Sequence, residues 1–416
     1  MRKLIFSMLV LIPIIANSQN NRVIDWDADL NLLKVELPKN HCNLYSLKSE
    51  KDFYYGIEQV SQEKNKLSDL DIAIKLQQLI ASFGDSHTMV GWKQFADNNK
   101  ILPLNLLWFK DGLYITNTTE ENQSILGTKI LRINDKPLAT IADSLTTLLT
   151  VDNNAVIKKD IPKLIPYVQL LEHFGFIKTD TIELVLENQK GELLNYAIKP
   201  GVMNKQNRRS LKPDSIALCY KNGKSLFVDS ILRKDDTYYI QYNMCASREF
   251  PPQGFKGNPE QLPSFYDFKK KVFETINSND FDKVIFDIRF NGGGNSAPGS
   301  ELIRELSLIK KINKKGRLYV VIGRETFSSA IMNAMDFKNM TQAIFVGEET
   351  SGKPNSFGEI KLLELPNSGM KIQYSTKYFQ NSTRDQKTIT PDYLIETSFI
   401  DFIKGHDPVY DWIIEQ

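Results

Sequence analysis

Apolar residues recur at helical spacing over the first hundred positions and at strand spacing over much of the remainder. Trp26, Leu30, Leu33 and Leu37 share one face of a helix that Pro38 is expected to stop. A second helix is predicted after Ser49, with Phe53, Ile57 and Val60 inward. The third is the plainest. Ser68 and Asp71 have the spacing of a capping box, with Asp in place of the usual Glu. Ile72, Leu76, Leu79, Ile80 and Phe83 then form one apolar stripe, and Gly84 follows as a natural C-terminal cap. The segment Asp85-Ser86-His87-Thr88 therefore falls in a loop just beyond a helix C-terminus.

From Ile101 the texture changes. Residues 102–109 and 113–116 read as strands around the turn Lys110-Asp111-Gly112. Residues 126–138 resemble the core of a PDZ domain, in which a glycine precedes a strand that ends in a tight turn, here Asn134-Asp135. A generic β-rich insertion is the equal alternative. Two more strands, 181–186 and 193–198, would close the module. Residues 201–235 open on a polar, poorly patterned run and read as a linker. Strands and helices then alternate: strands at 238–243, 284–288, 318–322 and 343–346, with helices after Ser264, at 299–307 and at 328–337. That alternation predicts α/β layering. Two further strands, 359–365 and 371–378, flank the turn at 366–369.

Composition narrows the class. Met1-Arg2-Lys3, an apolar run from Leu4 to Ile15 and Ala16-Asn17-Ser18 have the parts of a secretory signal peptide cleaved after Ser18. The run is shorter than the about 20 apolar residues a membrane anchor needs. Export to a periplasm or the medium is the expectation, with no membrane span in the mature chain. Beyond Ser18 basic and acidic residues are equal in number, so nothing favours nucleic acid or anionic lipid as a partner. Three cysteines, Cys42, Cys219 and Cys245, do not suggest a disulfide framework and read as small buried hydrophobes. No zinc-ligand spacing appears, and no metal or cofactor is expected.

The candidate chemistry lies in two distant segments. Ser328 stands between a buried strand and a helix, where unpaired N–H groups and the positive dipole end would stabilise an alkoxide or oxyanion. Most serines at helix starts are only N-caps. The glycine run Gly292-Gly293-Gly294 ends a neighbouring strand and lets a backbone N–H approach a ligand. One such N–H, with that of Ser329, would form an oxyanion hole. A phosphate cradle is the alternative, but no Lys-Ser/Thr follows the glycines. Of the four histidines, His41, His173 and His406 read as structural or surface residues. His87 alone sits in a compact polar loop, and its reference pKa near neutrality suits a general base.

Four motifs, Gly84-Asp85-Ser86-His87-Thr88, Asp287-Ile288-Arg289-Phe290-Asn291-Gly292-Gly293-Gly294, Thr326-Phe327-Ser328-Ser329-Ala330 and 347–355, occur in an order that resembles the tail-specific (C-terminal processing) serine peptidase family. Its tricorn-core branch and retinoid-binding relatives are the nearer likeness. The resemblance implies an α/β, overall α+β, architecture: a helical N-terminal domain at 19–98, a PDZ-like domain at 99–200, a linker at 201–235 and a crotonase-like ββα catalytic domain at 236–416. It implies Ser328 as nucleophile, with Gly293 or Gly292 and Ser329 as oxyanion donors. Two solutions exist for the base. Lys353, 25 residues after Ser328, matches the lysine of one branch. Ser86 and His87 match the pair of the other, with Asp385 in place of its supporting acid. The expected function is an exported serine peptidase acting on polypeptides, and the alternative is a non-catalytic binder of peptides or apolar ligands on the same scaffold.

Overall fold

The computed structural model describes residues 24–252 and 254–416; the expected signal peptide at 1–18 lies outside them. Three helices open the described chain, Trp26–Asn40, Glu50–Glu63 and Asp69–Ala81. Ser49 and Ser68 cap the second and third through reciprocal bonds with Asp52 and Asp71, so the N-terminal N–H groups are satisfied locally. The first helix runs past Pro38 to Asn40. The His41 N–H still bonds the Leu37 carbonyl, so proline removes one bond without ending the last turn.

These helices do not form a core of their own. Leu33, Leu37, Phe53, Ile57, Leu76 and Ile80 belong to one buried cluster with Leu113, Ile130, Ile133, Leu184 and Leu186 of the following β-rich module and with Ile372 and Tyr374 of a distant hairpin. The module is an antiparallel sheet ordered 105–109, 112–119, 129–133, 182–187, 193–198, with the short strands Lys136–Pro137 and Arg208–Ser210 at its flanks. Helices Leu138–Thr146, Asn154–Leu164 and Val168–His173 lie between its strands in sequence.

The 201–235 stretch is more than a connection. It contributes Arg208–Ser210 to the module and Phe227–Leu232 to the next sheet, where Phe227 pairs with Tyr242. Its polar residues hid a strand that pairs on one side only.

The second sheet has six strands, ordered Tyr393–Leu394, Ile344–Gly347, Leu318–Ile322, Lys283–Asp287, Thr237–Tyr242, Phe227–Leu232. All neighbours are parallel except the last pair. Side chains alternate between two cores. Tyr238, Ile240, Val284, Phe286, Leu318 and Val320 face the helices Phe265–Ser278, Ala297–Ser307 and Ser329–Met340. Tyr239, Ile285, Tyr319 and Val321 face Val409 and Ile413 of the last helix. Both faces are covered, as a parallel sheet requires. A third sheet, Met89–Val90, Lys371–Gln380 and Asn355–Glu364, joins the two larger units. All three cysteines are free; Cys219 and Cys245 are buried, whereas Cys42 is exposed, unlike the expectation. No helix among the described residues is long and apolar enough to cross a membrane.

Candidate active site

Ser328 stands where the chain leaves the strand Leu318–Ile322 and enters the helix Ser329–Met340. The turn between is tied down residue by residue. Thr326 Oγ1 accepts from the Gly323 N–H and donates to the Ile288 carbonyl, and the Phe327 N–H donates to the Asn291 carbonyl. This leaves Ser328 at φ 53°, ψ −124°, a conformation that side chains rarely adopt. Its hydroxyl makes no capping bond to the helix. It meets His87 Nε2 at 3.0 Å.

His87 is the third residue of the turn Asp85–Thr88, closed by a bond from the Thr88 N–H to the Asp85 carbonyl. The following strand, Met89–Val90, pairs with Ile372 and Gln373, and Gln373 donates to the His87 carbonyl at 2.8 Å. The ring stacks on Phe327 with centroids 4.8 Å apart. Lys159 Nζ lies 4.6 Å from the centroid of the same phenyl ring. Burial pushes the His87 pKa below its usual value; the Asp85 carboxylate raises it and Lys159 lowers it. Burial is the largest of the three effects. The buried His87 Nδ1 has no hydrogen-bond partner among the described residues.

The glycine loop reaches the same place. A Cβ on Gly293, at φ +108°, would lie 2.7 Å from Ser328 Cβ, so only glycine fits. Its N–H, however, donates to Asn291 Oδ1 at 2.9 Å and is spent within the loop. Asn291 is fully buried and also donates to the Tyr242 carbonyl, holding the glycines on the central sheet. Gly292, Gly294 and Ser329 line a cleft of about 550 Å³ with His87, Ser328, Met332, Phe357, Ile360 and Phe379.

Three of the expected residues stand apart. Lys353 Nζ pairs with Asp152 Oδ1 at 3.1 Å, not with Ser328. Glu348, five residues before that lysine, forms a two-pronged pair with Arg324. Asp385 is exposed, and its charge acts on Asp152 rather than on His87. Ser86 lines a neighbouring cavity of about 320 Å³ together with Lys159 and Phe327. A further apolar cavity of about 170 Å³, walled by Phe290, Ile322 and Val409 at the ends of the central strands, does not include Ser328 or His87. No group of three or more His, Cys, Asp or Glu among the described residues is arranged to hold a metal ion.

His41 is the residue that sequence reasoning passed over. It is buried, and its Nε2 lies 3.0 Å from Asp85 Oδ2. Only its place beside a helix end pointed to it, and that suggested a plain turn.

Residues 297–395 match the model of peptidase family S41. A search of the curated proteins found no match. Among solved structures, mature CPAF in complex with lactacystin is similar over 94% of this chain and 96% of its own, with a TM-score of 0.60 and 12% identity. The crystal structure of mature CPAF alone gives a TM-score of 0.59 at 13% identity, over 94% of each chain. At such identities the likeness bears on the fold. The matched segment contains Ser328, Ser329 and Lys353, and the chain therefore carries a domain of peptidase family S41, the tail-specific protease family that its motifs resemble.

Proposed function

We propose that the protein hydrolyses peptide bonds through an acyl-enzyme on Ser328, with His87 as general base. The observation that carries this reading is the 3.0 Å contact between His87 Nε2 and Ser328 Oγ at a strained strand-to-helix turn. In the first step the Ser328 proton passes to His87 Nε2 as Oγ bonds to the substrate carbonyl carbon. In the second the C–N bond breaks and the imidazolium gives that proton to the leaving amine. Water, deprotonated by the same ring, then releases the acid. Ser329, the first residue of its helix, offers an N–H without an intrahelical partner to the oxyanion, with Gly292 or Gly294 as second donor. The Gly293 N–H is left out because Asn291 holds it.

The cleft suits an extended polypeptide. The strand Asn355–Glu364 is an edge of the third sheet, and residues 356–360 line the cleft. Ser375, opposite Ile360, uses its N–H on Thr88 and its carbonyl on Cys42. Theirs is thus a pair without mutual hydrogen bonds, and the peptide groups of Ile360 turn to the open edge. A substrate strand can pair there, with apolar side chains against Met332, Phe357 and Phe379. Secretion through the leader at 1–18 would expose the enzyme to extracytoplasmic polypeptides. The test is labelling by a fluorophosphonate probe: a tag on Ser328 in the wild type that is lost in Ser328→Ala supports the reading. Absence of labelling in folded wild-type protein would leave a binding role instead.

A further inference from the structure

His87 has its nucleophile but no acid on its far side. Nδ1 is buried without a partner among the described residues, and the expected acid, Asp385, lies out on an exposed loop. A different carboxylate is close. Asp85 is buried, two residues before His87 in the same turn, and its Oδ1 accepts the His87 backbone N–H at 2.8 Å. Its Oδ2 accepts from Thr88 Oγ1 at 2.5 Å and faces His41 Nε2 at 3.0 Å. The tautomer of His41 is set by the other nitrogen: Nδ1 accepts the Asn43 N–H at 3.0 Å, so Nε2 carries the proton and donates to Asp85. The His41 ring is 1% exposed and packs edge-on against Phe357, which lines the cleft.

We infer that Asp85 is the carboxylate that supports His87, acting through the His87 peptide N–H and through space, and that His41 is the buried donor that fixes it. Asp85 is a positioning residue. It touches neither substrate nor the reacting atoms; it sets the turn that aims the ring at Ser328 and places a negative charge near the imidazolium that forms. The inference rests on the peptidase reading above.

The electrostatics agree with the geometry. Burial alone would raise the Asp85 pKa, but bonds from His41, Thr88 and the His87 backbone outweigh it and hold the group below the usual carboxylate range. Asp85 is therefore charged wherever the enzyme works. The groups that face His87 are Asp85 on its own turn, Ser328 across the cleft and Lys159 on the helix Asn154–Leu164; of the two charges, Asp85 favours the imidazolium and Lys159 opposes it. Burial, and after it the Asp85 charge, raises the Cys42 thiol pKa.

The experiment is a pH–rate profile of Asp85→Asn beside wild type and His87→Ala. Loss of the charge should move the acid limb of kcat/KM to lower pH and reduce kcat at the plateau by about tenfold to a hundredfold, at the low end of the roughly 10²–10⁴ that a general base contributes. An acid limb that stays in place would overturn the inference, even if thermal stability fell. The asparagine amide sets a donor against either the His87 N–H or the His41 and Thr88 donors, so this variant can fail to fold. A second pair covers that case. His41→Gln keeps an amide donor for Asp85 and should retain kcat within about threefold, whereas His41→Leu should lose about tenfold or more. Equal activity in the two would overturn the inference as well. Fluorophosphonate labelling of the wild type separates the readings: no label sinks the peptidase itself, whereas a labelled enzyme with an unmoved acid limb sinks only the role of Asp85.

Discussion

The Nε2 of His87 and the Oγ of Ser328 meet at 3.0 Å although 241 positions separate them in the chain. Each is carried by a different core. His87 hangs from the cluster shared by the N-terminal helices and the β-rich module, and Ser328 from the central parallel sheet. The strand Lys371–Gln380 spans the two. Its Ile372 and Tyr374 are buried in the first core, its Gln373 holds the His87 carbonyl, and it leads back to the chain segment that follows the nucleophile. The site therefore exists only when both units are docked.

Ser328→Ala should abolish hydrolysis, by roughly 10⁴–10⁶-fold, without loss of fold. Ser328→Gly should do the same and also raise stability relative to Ser328→Ala by about 1 kcal/mol, since φ 53°, ψ −124° strains any side chain and glycine is free of that penalty. Urea unfolding of the two variants compares them directly. Equal midpoints would show that the turn holds no strain at this residue.

The glycines separate by space. Gly293→Ala puts a methyl 2.7 Å from Ser328 Cβ and 3.0 Å from the Ser329 nitrogen at a φ of +108°. It should destabilise by more than about 1 kcal/mol and lower kcat by displacing the nucleophile. Gly292 has open space around its Cβ position, so Gly292→Ala should stay within about 0.5 kcal/mol of wild type. Thermal melts with kcat and KM on both variants check this. A Gly293→Ala enzyme of unchanged kcat would remove the glycine from the machinery.

What was legible in the sequence was local. The Ser68 and Asp71 capping box, the helix it starts and the loop that follows all depend on neighbours within a few residues, and all are present. So is the strand-to-helix position of Ser328, because buried strands and turn residues mark themselves. Pairings across the chain were not. Nothing near His41 announces that its ring faces Asp85, 44 positions on. The 25-residue spacing of Ser328 and Lys353 suggested a dyad, but the lysine turns to Asp152 on another unit. Asp385 was placed by the family resemblance as a supporting acid, and position along the chain does not say which way a loop leans. Gly293 shows the finer limit: the sequence marks the glycine, but not that Asn291 two residues earlier takes its N–H.

The last prediction concerns the base, and the two candidates differ in what acid does to the rate. A base must be neutral to act. His87 has its pKa pushed below the ordinary histidine value of about 6.5, burial being the largest cause. The acid limb of kcat/KM should therefore fall below about pH 6.5, leaving the enzyme active in mild acid. Lys159 opposes the charged ring, so Lys159→Met should move that limb upward. A lysine base would behave otherwise: from a reference pKa of about 10.4 it needs a fall of about three units, roughly 4 kcal/mol, to work at neutral pH. Lys353 is poorly placed for that, since its Nζ lies 3.1 Å from Asp152 Oδ1 and not on Ser328. His87→Ala should thus lose at least about 10²-fold in kcat, while Lys353→Met and Asp385→Asn keep kcat within about tenfold. pH–rate profiles of the four variants against wild type read all of this at once. An active His87→Ala enzyme beside an inactive, folded Lys353→Met enzyme would transfer the role of base to the lysine.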